Sequence, residues 1–111
     1  LNKINKFDKL GVNVLFVKPD RKGRIQFKSV LKELSKLQIA SLLVEGGSKI
    51  YSSFIKQNLF DDILLFVSPK ILGSGLNTFS EFKSKKLGDA AKLNVKQTQK
   101  IGDDILIELV K

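Results

Sequence analysis

The sequence predicts an α/β fold with a mixed, mostly parallel sheet that closes in an antiparallel hairpin. Three observations carry that expectation. Short apolar, β-branched runs alternate with helical patterns through the first half of the chain. One such run stops at Glu45-Gly46-Gly47, and a helical pattern starts at once. The C-terminal stretch alternates polar and apolar residues on either side of a turn.

Residues 12–17 are apolar and β-branched and end at Lys18-Pro19-Asp20, so they read as a strand followed by a turn. Residues 20–23 form a polar loop. Phe27, Val30, Leu31, Leu34 and Leu37 then recur at helical spacing with lysines between them, which predicts an amphipathic helix over 27–37. Residues 41–44 are short and apolar, as in a buried parallel strand. Ile50, Tyr51, Phe54 and Ile55 mark a second helix over 48–58. Residues 62–67 are a third strand, ending at Ser68-Pro69. Strand and helix in this order argue for βαβ crossovers. Residues 71–86, with Gly73, Gly75 and Asn77, read as a long loop. Residues 93–98 and 105–110 alternate around the turn Lys100-Ile101-Gly102-Asp103-Asp104, which predicts the terminal hairpin.

Composition limits the chemistry. The chain has 111 residues, suited to one domain or part of one, and is 42% hydrophobic. It has no Cys and no His. Disulfides, Cys/His zinc sites, a Cys nucleophile and a His general base are therefore excluded. Any reaction must draw on a cofactor, carboxylates or lysines. No apolar run approaches the roughly 20 residues of a membrane helix, and residues 1–10 do not resemble a signal peptide. The expectation is a cytoplasmic protein with no membrane partner. Met is also absent, so the chain reads as a segment of a longer protein.

The net charge is +9, from 20 Lys and Arg against 11 Asp and Glu. Such a field attracts phosphates of any kind. The arginines, aromatic platforms and basic helix of a nucleic-acid binder are missing: Arg21 and Arg24 are the only arginines, and Tyr51 is the only Tyr. A solvated, lysine-rich surface accounts for the charge as well.

The Glu45-Gly46-Gly47 turn is the main functional signal. Glycines at a strand-to-helix turn permit close backbone approach or positive φ. The N–H groups of the following helix favour an anion, with a partial charge of roughly +0.5. The turn therefore fits a phosphate seat, although a plain strand-to-helix turn has the same residues. Glu45, at the end of an apolar run, fits either a ligand contact or a paired structural carboxylate.

Three segments together resemble one family: Leu43-Val44-Glu45-Gly46-Gly47; Leu59-Phe60-Asp61-Asp62-Ile63-Leu64-Leu65-Phe66-Val67-Ser68-Pro69-Lys70-Ile71-Leu72-Gly73; and Ile101-Gly102-Asp103-Asp104-Ile105-Leu106. In order and spacing they are similar to the C-terminal reductase domain of the bifunctional riboflavin-biosynthesis deaminase/reductase. The resemblance covers about residue 12 to the C-terminus. It implies a dihydrofolate-reductase-like, three-layer α/β/α fold, with residues 1–111 a partial reductase domain whose N-terminal part lies elsewhere. It implies NADPH-dependent reduction of 5-amino-6-(5-phosphoribosylamino)uracil to the ribitylamino compound, and a homodimer. By the same resemblance Glu45 contacts substrate. Gly46, Gly47, Ser48, Lys49, Ile50, Tyr51, Ser52 and Ser53 line the NADPH site. Ser68-Pro69-Lys70 and Gly73-Ser74-Gly75 lie near the active-site rim or a subunit contact.

Each residue also has a plainer account. Lys49 suits a solvated helix surface, Tyr51 and Phe54 suit a core, Arg21 and Arg24 a surface loop, and Asp103 and Asp104 a turn. Two other functions stay open: a basic nucleic-acid-binding module, and a non-catalytic fragment that self-associates through sheet edges.

Overall fold

The structure, a computed structural model, describes residues 2–111. They divide into two compact units, one ending at Leu43 and one spanning Val44–Lys111.

The first unit contains α1 (Asn2–Lys9) and α2 (Phe27–Lys36). Helix α1 lies outside the sequence-based expectations; its signal in the sequence is the three-residue step from Ile4 to Phe7. Helix α2 forms as its apolar stripe predicts, one residue shorter than expected. It stops where Gln38 takes a left-handed conformation (φ 60°). Between the helices, the Asp20 carboxylate accepts the backbone N–H groups of Lys22 and Arg24 at 2.8 and 2.9 Å. Pro19 and Ile25 bridge across the loop, and Gly23 adopts φ +74°, a conformation that costs glycine little.

The second unit contains α3 (Ser48–Gln57), β1 (Asp62–Val67), a short 3₁₀ turn (Leu87–Asp89), β2 (Asn94–Ile101) and β3 (Asp104–Val110). Helix α3 ends at Asn58 in the left-handed conformation (φ 55°), and the N–H of Leu59 bonds back to the Phe54 carbonyl at 3.0 Å. That is the closing pattern of a Schellman-type cap. Among the described residues, the buried ones are Ser52 and Phe54, both on α3.

The sheet has the order β1-β3-β2, and both pairings are antiparallel. The terminal hairpin is therefore present, with Gly102 (φ +61°) and Asp103 as its two-residue turn. Asp104 begins β3. A bulge lies between Val95 and Gln97. It sets Lys96 and Gln97 against a single residue, Glu108, and both bond its carboxylate, at 2.6 and 2.7 Å. The Lys96 hydrogen bond holds the Glu108 carboxyl below its ordinary pKa, and the same bond raises Lys96.

The expected parallel pairing is not seen among the described residues. Residues 12–17 and 41–44 form no ladder. An apolar run supplies side chains for a strand, but the strand itself exists only through hydrogen bonds to a neighbour. Here several of the side chains stay outside: Phe16 is 73% exposed and Leu43 is 71% exposed. Residues 71–86 form the expected long connection, and Ile71, Leu72 and Leu76 are almost wholly exposed within it.

Candidate functional site

The site is built at the start of α3. Gly47 precedes the helix in an extended conformation (φ −85°, ψ 174°) and has no side chain to cap it. The N–H groups of Ile50 and Tyr51 return to the Gly47 carbonyl at 3.0 and 3.2 Å. Among the described residues, nothing accepts from the N–H groups of Gly47, Ser48 or Lys49. The first turn has no acidic residue. The helix therefore presents free donors and the positive end of its dipole, with the exposed Lys49 on the same turn.

The two glycines have different physical roles. A Cβ on Gly46 would lie 2.9 Å from Cδ1, 3.2 Å from Cβ and 3.3 Å from Cγ2 of Ile50. A side chain at Gly46 would therefore press on Ile50, which would have to give way. A Cβ on Gly47 would meet nothing within 4 Å. Neither glycine has positive φ, so close approach is the property used here. At Gly46 the approaching group is Ile50; at Gly47 the space is open.

Glu45 is exposed, and among the described residues its carboxylate has no hydrogen bond or ion pair. The residues before it form no buried strand, so burial puts no demand on its charge. Ser48 and Ser53 are half-buried or more exposed than Ser52. Ser52 is fully buried, and its Oγ accepts the Glu81 N–H at 3.1 Å. Its side chain faces protein rather than the open side of the turn. Tyr51 is half-buried, and its hydroxyl accepts the Gly46 N–H at 3.1 Å.

The segment 77–82 reaches the same helix from more than 25 residues away, as the 29-residue separation of the Ser52–Glu81 pair records. The Phe79 ring meets Tyr51 edge-on, with centroids 6.5 Å apart and planes at 66°. The Ser80 Oγ donates to the Ser48 Oγ at 2.9 Å. The sequence pattern predicts only a loop here. The available signal is local: Asn77 Oδ1 accepts the Phe79 N–H at 2.9 Å, a turn that Asn favours. Nothing local points to α3.

Arg24 binds Asp20 through Nε and Nη2, both at 3.1 Å. The Arg24 backbone N–H, first among several bonds, holds the Asp20 carboxyl below its usual range. Ser68, Pro69, Lys70, Gly73, Ser74 and Gly75 are exposed, and Gly73 takes φ +80°. Among the described residues no cluster of three or more His, Cys, Asp or Glu side chains could hold a metal ion, and no helix is long and apolar enough to cross a membrane.

Comparison with known proteins gives one family. The family described as the RibD C-terminal domain matches residues 1–107. The riboflavin biosynthesis protein RibD of Aquifex aeolicus is 34% identical over 105 residues, which is 95% of this chain and 28% of that protein. A 5-amino-6-(5-phosphoribosylamino)uracil reductase of Buchnera aphidicola is 27% identical, over 84% of this chain and 45% of its own length. Among solved structures, the Thermotoga maritima diaminohydroxyphosphoribosylaminopyrimidine deaminase/5-amino-6-(5-phosphoribosylamino)uracil reductase aligns with a TM-score of 0.67 at 34% identity. That alignment covers 76% of this chain and 23% of the other. Acinetobacter baumannii RibD aligns with a TM-score of 0.76 over 96% of this chain and 28% of its own, at 23% identity, a likeness of fold. The chain thus spans under a third of the RibD proteins it matches.

Proposed function

We propose, because this chain belongs to the RibD C-terminal domain family, that it supplies the cofactor side of a riboflavin-pathway reductase. The substrate in this reading is 5-amino-6-(5-phosphoribosylamino)uracil and the reductant is NADPH. The observation that carries it is the uncapped start of α3, with three N–H groups that have no partner among the described residues, beside the open space at Gly47. Such an end suits an anionic phosphate.

The cofactor, when bound, supplies the hydride. The chain's own residues bind and orient. The backbone N–H groups of Gly47, Ser48 and Lys49 donate to the phosphate oxygens, and the Lys49 ammonium adds charge. Gly46 lets the turn close over Ile50. Tyr51, Ser52 and Ser53 form the helix behind the turn. Glu45, exposed and without a partner among the described residues, is available to accept hydrogen bonds from the substrate's hydroxyl or ring N–H groups.

The parallel strands and three layers expected of the family belong to the same proposal. In this reading residues 12–17 and 41–44 gain strand partners in the larger protein, and residues 1–111 are part of a reductase domain. The open edge of β1, whose Leu64 and Phe66 are half exposed or more, supports such extension. The exposed Ile71, Leu72 and Leu76 suit coverage by further protein, including a second subunit of a homodimer. The compartment in this reading is the cytoplasm.

The test is titration of the enzyme containing this chain with NADPH, NADH and a short DNA duplex, at low and moderate salt. NADPH binding that persists at moderate salt is expected. Binding of NADH with equal affinity would overturn the cofactor assignment. Salt-sensitive duplex binding without NADPH binding would favour the nucleic-acid module.

A further inference from the structure

The Gly46 peptide is held from behind. Its N–H donates to the Tyr51 hydroxyl at 3.1 Å, and Tyr51 lies one helical turn into α3. The Tyr51 ring in turn meets Phe79 edge-on. Phe79 is itself fixed by two bonds within its segment: its N–H to Asn77 Oδ1 at 2.9 Å, and its carbonyl to the Phe82 N–H at 3.0 Å. The same segment is tied to α3 on both sides of Tyr51, through Ser80 to Ser48 and through the Glu81 N–H to Ser52.

We infer that Tyr51 and Phe79 are positioning residues for the glycine turn, acting through the Gly46 peptide rather than by touching a ligand. The inference rests on the proposed nucleotide site and deepens it. Gly46 has no side chain, so its backbone is held by no rotamer of its own. Rotation of the peptide planes between Glu45 and Gly47 would redirect the Gly47 N–H, one of the three free donors. The Tyr51 hydroxyl opposes that rotation by accepting the Gly46 N–H. The edge contact with Phe79 keeps the phenol in place. The segment 77–82, remote in sequence, thereby joins the site without supplying a ligand contact.

Tyr51→Phe removes the hydroxyl and keeps the ring against Phe79. In the enzyme containing this chain, the expected result is faster hydrogen exchange at the Gly46 amide, and NADPH affinity weakened about three- to tenfold, the size of one net hydrogen bond. The melting temperature is expected to stay near that of the parent. Phe79→Leu keeps apolar bulk but loses the ring edge, and is expected to move both readouts the same way by less. Unchanged Gly46 exchange in Tyr51→Phe would overturn the inference, because the bond would not exist in solution. Faster exchange with unchanged NADPH affinity would overturn it too, since the turn would need no holding. Failure of the parent enzyme to bind NADPH would refute the nucleotide site itself. Normal binding by the parent with normal binding by Tyr51→Phe would refute only the positioning role.

Discussion

The hydroxyl of Ser52, fully buried on α3, accepts the backbone N–H of Glu81 at 3.1 Å. It joins the helix of the candidate site to a segment that carries no regular secondary structure. Ser52→Ala leaves that amide without its partner, and the expected loss of stability is about 1–2 kcal/mol. Urea unfolding of the enzyme containing this chain measures it. A midpoint equal to that of the parent would mean that water satisfies the Glu81 amide equally well.

The two glycines of the turn are expected to respond differently in stability. Gly46→Ala drives a methyl against Ile50 and is expected to cost about 1–3 kcal/mol, as overpacking does. Ile50→Val removes Cδ1, the nearest atom, and should recover part of that loss in the double variant. Gly47→Ala meets no atom and is expected to change stability by no more than about 0.5 kcal/mol. Equal losses at both positions would contradict this division of roles.

The hairpin carries a pH dependence with a defined sign. Lys96 lowers the pKa of Glu108, so that contribution is present above the ordinary carboxyl value of 4.5 and is lost as pH falls through the depressed value. Glu108 raises the pKa of Lys96, so that contribution is present below 10.5 and is lost as pH rises through the raised value. Both groups lie near the surface, so the effect is modest and falls with salt. Glu108→Gln should flatten both arms of a melting-temperature profile against pH. A profile identical to the parent's would show that the pair adds nothing to folding.

Glu45→Gln tests the substrate side. It preserves size and removes charge from an exposed group without protein partners among the described residues. The expected outcome is a raised KM for substrate or a lowered kcat, with NADPH affinity and melting temperature unchanged. An equal effect on NADPH binding would assign Glu45 to the turn's structure instead.

Much of the second unit is legible from pattern alone. The apolar run 62–67 predicts β1 at its observed limits, the spacing from Ile50 to Ile55 predicts α3 to within one residue, and Gly102-Asp103 marks the hairpin turn. These elements are fixed by local periodicity and by a positive φ that glycine accommodates. The elements that do not form depend on distant partners. Residues 12–17 and 41–44 have strand composition, but composition does not provide the neighbour that makes a ladder. The Val95/Gln97 bulge is invisible in the sequence for a related reason: its meaning lies in Glu108 on the facing strand.

The candidate site divides in the same way. Glu45-Gly46-Gly47 is recognisable because a strand-like run, two glycines and a helix follow without interruption. The inward role of Ser52 is not, since Ser48, Ser52 and Ser53 are alike as letters and differ only in which way α3 turns them. Phe79 and Ser80 escape sequence reasoning because their contacts with α3 are long-range.

The most direct test of the central claim is NADPH affinity in Gly47→Val, measured by titration of the enzyme containing this chain. Valine fills the space at the free N–H groups without meeting protein atoms at Cβ. The account predicts a loss of affinity of about tenfold or more, equivalent to roughly 1.4 kcal/mol, with an unchanged melting temperature. Parental affinity in a folded Gly47→Val enzyme would contradict it, because the phosphate would then be bound somewhere other than the start of α3.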